Sequence, residues 1–385
     1  MHPRQFAVLA LFTLSLTFGT VNFGAVLFSQ EAPPTAKLTK AESWPEMFSQ
    51  RQKIAARLTE LQQNFRKAKT TDEQDAMRKE FAEKRTEFQS LDERLVKLAP
   101  QVYAADPKNF DAGESVMQAA FQNHRFDESK KLASTLIAAG RKNVQTTNIL
   151  GVSQFATHDF AEAVETFAAA EKDEMLHPQL GGRYQAAATE YVAFWKVEQA
   201  IREAEAAATG EAQLPRVLFK TNRGDIVLEL FENEAPNTVA SFVSLVEAKK
   251  YDGIKFHRVI PMFMAQGGDP NSRDDDPSND GQGGPGYMIK CECFEKDARR
   301  HFRGSLSMAK TAAPNTGGSQ FFLTHLPTPH LNANVDAQSG HTVFGHIVEG
   351  LDVAASLKKD DKIESATVTR KRQHEYKPET LPDGK

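Results

Sequence analysis

A chain of 385 residues has room for two or three domains, and 40% hydrophobic with 25% charged residues fits a soluble globular protein. The formal net charge of −4 gives no electrostatic reason to bind nucleic acid. With two cysteines, Cys291 and Cys293, no disulfide framework holds the fold together.

The first five residues carry a little positive charge, and residues 6–28 then run without a charged side chain. That length lies near what a bilayer-spanning helix needs, while Thr, Gly and Asn22 dilute its hydrophobicity. Residues 1–29 are therefore read as a cleaved signal peptide or a retained membrane anchor, with a buried core helix as the plainer alternative. Export follows from either of the first two, placing the rest of the chain in the periplasm, soluble or anchored through residues 6–28. Residues 30–45 form a linker in which Pro33 and Pro34 block helix.

From 46 to 100 the apolar period is helical. Ile54, Leu58, Leu61 and Phe65 share one face, and a second stripe runs through Met77, Phe81, Phe88, Leu91, Leu95 and Leu98. Thr71 followed by Gln74 reads as a capping box between them, so a helical hairpin is expected, closed by Pro100 and Pro107. In 101–209, Leu150-Gly151, Phe160, Ala163, Phe167 and Ala170 combine small and aromatic residues at intervals that let antiparallel helices pack closely. They resemble one tetratricopeptide unit. A looser version with Phe126 precedes it, and a terminal capping helix is expected over 181–208. Such an arm is either a docking surface for a protein partner or a plain helical spacer.

At about residue 214 the period changes. Residues 216–221 and 225–230 read as strands joined at Asn222-Arg223-Gly224, and Pro236 opens a helix with Val239, Phe242, Val243 and Val246 on its apolar face. Short strands follow, then a helix over 351–357 and a last strand over 363–369, leaving 373–385 as a tail. Two helices against many short strands imply a closed or nearly closed antiparallel barrel with helices covering its ends.

Two segments carry the chemistry. Residues 256–269 read FHRVIPMFMAQGGD and place Arg258 at the lip of an apolar run with Phe263 and Met264, ahead of Gln266. A cation there is expensive unless something uses it. Residues 304–332, GSLSMAKTAAPNTGGSQFFLTHLPTPHLN, supply more apolar pocket material. Together they resemble the cyclophilin family of peptidyl-prolyl isomerases, over about 214–372.

The resemblance implies an eight-stranded antiparallel barrel with two capping helices and catalysis of rotation about X–Pro bonds, without cofactor or metal. Arg258 would stabilise the twisted bond, and Gln266 would brace it. Phe263, Met264, Phe322 and Leu331 would form the proline slot, with His341 at its edge. Ala309 and Lys310 would hold the residue before proline through the main chain. Proline-containing polypeptides are the implied partners, and assistance to the folding of exported proteins is the implied role. A non-catalytic proline-peptide scaffold or chaperone using the helical arm is the alternative.

The chain departs from the family pattern at His330, where many members carry a tryptophan that contacts cyclosporin. It departs again in an altered loop over 308–314 and in an insertion over 333–340 between Asn332 and His341. The acidic insertion over 271–280 lacks the ligand order of a calcium loop and reads as solvated. His257 reads as structural, and Cys291 and Cys293 as inert packing, with a metal or redox role alongside His301 as the alternative.

Overall fold

The computed structural model describes residues 43–65 and 67–383. The apolar run over 6–28 and most of the expected linker lie outside the described residues, as do 384 and 385. Among the described residues no helix is long and apolar enough to cross a membrane. The chain divides into two compact units, one up to residue 119 with 135–146 and the other comprising 120–134 with everything from 147 onward.

In the first unit α1 (Trp44–Phe65) and α2 (Thr71–Ala105) form the expected hairpin. Trp44, Met47, Leu91, Leu95 and Ala99 bury their side chains together, and Arg57 reaches Glu80 at 2.6 Å. The capping box sits one residue earlier than expected. The Thr70 hydroxyl accepts the Glu73 N–H at 3.2 Å, and the Glu73 carboxylate accepts the Thr70 N–H at 3.3 Å. Both pairs have the spacing, but a carboxylate is the stronger acceptor for an N-cap amide. Nor does Pro100 end the helix, which continues to Ala105. A proline costs one helical hydrogen bond, whereas Val102 and Tyr103 beyond it pack on the same buried cluster, so burial carries the helix through.

Next come α3 (Phe110–Gln122), α4 (Phe126–Ala138), α5 (Val144–Ala156), α6 (Phe160–Lys172) and α7 (Arg183–Ala207). The small residue that the pattern requires is Gly151, since a Cβ there would lie 2.4 Å from the Phe167 ring. Phe160, Ala163, Phe167 and Ala170 are all buried on one face of α6.

The remaining elements are β1 (Arg216–Thr221), β2 (Gly224–Leu230), α8 (Pro236–Glu247), β3 (Arg258–Ile260), β4 (Met264–Gly267), β5 (Tyr287–Met288), β6 (Ser305–Met308), β7 (Phe321–Thr324), β8 (Val343–Glu349), α9 (Leu351–Ser356), β9 (Ile363–Arg370) and β10 (Leu381–Pro382). Eight strands form one curled antiparallel sheet in the order β3-β4-β7-β6-β8-β2-β1-β9. Its two ends meet just before β3. Lys255 bridges Lys362, and Phe256 N–H donates to the Asp361 carbonyl at 2.7 Å. Closure removes the exposed edges that an open sheet would leave. Inside lie Phe219, Phe242, Tyr251, Phe321 and Phe344, with α8 packed over one opening.

The segment expected as a tail is part of this unit. Tyr376 is buried in the barrel cluster with its hydroxyl donating to Glu232 at 3.1 Å, and β10 pairs with β5. One aromatic residue flanked by charges gives no period to read, which is why the sequence pattern stops short of it.

This second unit buries an unusual number of histidines. Burial holds His124, His158, His325 and His346 below the ordinary imidazole range and pushes His301 down to about 3. The fold keeps them neutral, whereas the unfolded chain takes up protons near pH 6.5. Their stabilisation is therefore complete above that pH and is lost as the pH falls toward the depressed values. Each can cost up to about 1.4 kcal/mol per pH unit. The guanidinium midpoint is expected to drop steeply between pH 7 and pH 5; a flat midpoint would contradict the assignment.

Candidate active site

The pleat places the expected site residues on the outer face of the barrel wall. Register aligns Arg258 with Gln266, Gln266 with Phe322 and Phe322 with Ser307, a single row across β3, β4, β7 and β6. The next row carries Ile260, Met264 and Thr324. Between these rows Ala265, Leu323 and Leu306 point inward and belong to the core, as the two-residue period of a strand demands.

Along that row Arg258 is exposed, and its Nη1 donates to Gln266 Oε1 at 3.3 Å. Gln266 is held in turn, because its Nε2 donates to Gln320 Oε1 at 3.0 Å and Gln320 donates to the Gly283 carbonyl at 2.9 Å. Gln266 thus spends its amide on Gln320 and turns its oxygen to the arginine. Asp269, following the left-handed Gly268, accepts the Gly281 N–H and so fixes the glycine-rich turn that Gln320 reaches.

Beside the arginine lies an apolar slot. Met264 and Phe322 form its floor at 2% and 4% exposure, and Phe263 stands half-buried at its rim with its ring 5.3 Å from that of the exposed His330. His341 meets the Phe322 ring edge-on at 5.4 Å, and its Nδ1 donates to the Met308 carbonyl at 2.9 Å. Burial lowers its pKa, so at neutral pH it adds no charge to the slot.

The insertion before His341 separates it from Leu331 in sequence but not in space. Asn334 and Ser339 pair through two backbone hydrogen bonds, pinching the insertion into its own hairpin, and His341 N–H donates to the Leu331 carbonyl at 3.0 Å. Ala309 prolongs the β6–β7 ladder, giving its N–H to the Gln320 carbonyl at 2.9 Å, so that donor is already engaged. Lys310 folds back toward the Thr311 carbonyl at 3.3 Å.

Gln320 escaped the sequence reading, and His301 takes a place beside Phe322 that the reading did not give it. Gln320 lies two positions before Phe322, on the same face, and that alternation is its signal. His301 stacks parallel to Phe322 with rings 6.0 Å apart, its Nδ1 at 3.0 Å from Asn332 Oδ1 and Nε2 at 3.0 Å from Ser307 Oγ. Nothing in its sequence neighbourhood marks it.

Elsewhere, His257 is buried near the Gly281 turn, apart from this row. Asp274 and Asp276 in the acidic insertion cap their own turns by accepting the N–H groups of Asp276 and Ser278. Cys291 and Cys293 are free and lie on irregular chain rather than a strand. A hydrogen bond from Cys293 brings the Cys291 thiol down to about 6 and pushes Cys293 up. Among the described residues no three His, Cys, Asp or Glu side chains converge on a metal position.

A positioned guanidinium beside an apolar slot can do one thing well. It can hold a proline ring while donating to an amide nitrogen that loses its planarity, which requires no nucleophile.

Comparisons with known proteins agree on a family. Residues 216–377 match the family described as cyclophilin type peptidyl-prolyl cis-trans isomerase/CLD. A peptidyl-prolyl cis-trans isomerase of Synechococcus elongatus is 45% identical over 157 residues, spanning 40% of this chain and 97% of the relative. One from Helicobacter pylori is 46% identical over 167 residues, spanning 43% of this chain and 90% of the relative. A crystal structure of a cyclophilin type isomerase from Cryptosporidium parvum, obtained in the presence of the dipeptide Ala-Pro, is 28% identical. It covers 40% of this chain and 99% of its own, with a TM-score of 0.34.

Proposed function

The chain belongs to the cyclophilin-type peptidyl-prolyl cis-trans isomerases, and from that premise we propose that Arg258 is its catalytic group and that its substrates are X–Pro bonds in exported polypeptides. The observation that supports the first part is the row Arg258–Gln266–Phe322, with the guanidinium oriented by Gln266 at the open end of a slot floored by Met264 and Phe322.

An X–Pro bond resists rotation by about 18–20 kcal/mol because the nitrogen lone pair is delocalised into the carbonyl. Twisting returns that pair to nitrogen. A guanidinium donating to it stabilises the twisted form and gives the planar form nothing. Gln266 bonds the arginine on one side and leaves its other donors for substrate. Phe263, Met264, Phe322, Leu331 and His341 hold the ring, and the chain around Ala309 and Lys310 lies alongside the preceding residue.

The uncharged run over 6–28 behind Arg4 supports export to the periplasm, as a soluble protein or one anchored by that segment, where the enzyme would speed proline-limited folding. The test has two arms. Purified protein should accelerate cis–trans exchange of an X–Pro peptide well above the uncatalysed rate; saturable binding without acceleration would mean a peptide-reading scaffold. Cell fractionation with N-terminal sequencing of the mature protein should find it outside the cytoplasm, and recovery from the cytoplasm would overturn that part.

A further inference from the structure

We propose that the helical segments packed on the barrel are part of the isomerase machinery: His124 and Tyr191 are positioning residues that clamp the proline slot from two sides. The proposal rests on the isomerase reading and deepens it.

The first clamp acts on the turn between β3 and β4. Met262 sits there in the left-handed region at φ 58°, a conformation a methionine seldom adopts unless its surroundings impose it. Its N–H donates to Nε2 of His124 at 2.8 Å. The other ring nitrogen of His124 donates to the Ala355 carbonyl on α9 at 3.1 Å, which fixes the neutral tautomer with Nε2 as acceptor. The His124 ring stacks on His325 at 4.4 Å, and His325 N–H donates to the carbonyl of Phe263. The residue that turns the chain into the slot and the first slot residue are thus both held from the His124 side.

The second clamp acts on the slot's opposite flank. The Tyr191 hydroxyl on α7 donates to the His301 carbonyl at 3.1 Å and accepts from Asn332 Nδ2 at 2.9 Å. Asn332 Oδ1 accepts the His301 N–H, and the His301 ring lies flat against Phe322. Asn332 also directly follows Leu331. None of these contacts touches Arg258.

The device is written into the repeat. His124 stands between Phe121 and Phe126 as His158 stands between Phe155 and Phe160, each at positive φ in the turn between two helices. His158 Nε2 likewise accepts a barrel N–H, that of Arg303, at 3.2 Å. Arg303 in turn donates to the His124 carbonyl at 3.0 Å. A spacer has no need to place the same acceptor at the same turn of successive hairpins.

The groups that face His124 are neutral His325 and the Arg303 guanidinium, which also reaches Asp127 at 3.4 Å. A proton added at Nε2 therefore meets no neighbouring carboxylate and removes the acceptor for Met262.

The experiment uses the full chain and a proline-peptide isomerisation assay with KM and kcat separated. Loosening a slot lowers the fraction of competent molecules, which raises KM and spares kcat. His124→Leu is expected to raise KM about five- to tenfold, the worth of one lost buried hydrogen bond. His124→Gln, which can still accept the Met262 N–H, should stay within about twofold of wild type by the same measure. As the pH falls toward the depressed pKa of buried His124, the wild-type KM should climb relative to that of His124→Gln, because only the histidine loses its acceptor.

Tyr191→Phe deletes one hydroxyl and should raise KM about two- to fivefold; it decides the matter if His124→Leu does not fold. Unchanged KM in the folded variants, a glutamine variant as impaired as the leucine one, or parallel pH profiles would overturn the proposal. A wild type no faster than solvent would instead overturn the isomerase reading itself.

Discussion

Arg258→Ala should lower kcat/KM for X–Pro isomerisation by about 10²–10³-fold while leaving the protein folded. The size follows from removing one oriented donor to a charge-bearing transition state, which typically costs about 2.7–4 kcal/mol. That is a modest share of a rotational barrier of about 18–20 kcal/mol, and the slot retains its own contribution. Stability should barely move, because Arg258 is exposed and its recorded side-chain bond is the 3.3 Å contact to Gln266. Arg258→Lys should recover only part of the loss, since an ammonium lacks the planar fork that can bond Gln266 and the prolyl nitrogen together. Exchange spectroscopy on an X–Pro peptide, with circular dichroism as the folding control, measures both quantities. A fully active alanine variant would remove the arginine from the mechanism.

The family resemblance named the site residues, and the strand period accounts for how the fold brings them together. A two-residue period puts Met264 and Gln266 on one face, and β pairing brings Phe322 beside them whatever lies between in sequence. The same logic explains His341, which the insertion over 333–340 seemed to carry away. Loop length costs little when the loop closes on itself, and the Asn334–Ser339 hairpin returns the chain to Leu331. Helical repeats were legible from small and aromatic spacing, as Gly151 against Phe167 shows. What could not be read were contacts between segments far apart in sequence and chemically ordinary in themselves. Tyr191, His301 and Arg299 have no motif around them, and the bonds His124–Met262, Tyr191–His301 and Arg299–Glu198 each join residues more than 90 positions apart. Local period also misjudged Pro100 and Tyr376, where burial outweighed the signal from neighbouring residues.

Arg299→Met should destabilise the protein by about 3–5 kcal/mol, the usual cost of removing one partner from a buried ion network. The Arg299 side chain is 1% exposed. It forks onto Glu198 of α7 at 2.8 and 2.9 Å, reaches Glu205 at 2.7 Å and Glu234 at 3.5 Å, and lies over the Phe231 ring at 3.8 Å. Methionine fills the volume and satisfies the ring but leaves carboxylates without their cation, Arg202 remaining only for Glu198 at 2.7 Å. Burial already raises the Glu234 pKa with the arginine present. Without it the carboxylates should take up protons more readily in the fold than in the unfolded chain. The penalty should therefore be greatest at pH 7 and shrink toward pH 5, opposite in sign to the histidine effect on the parent protein. Adding Glu198→Gln and Glu205→Gln to Arg299→Met should recover most of the loss, because the cost comes from stranded charge rather than from missing attraction. Denaturant unfolding at both pH values separates these cases. A penalty below about 1 kcal/mol, in the range of exposed ion pairs, would mean that water reaches the network and that α7 is held to the barrel by its aromatic contacts alone.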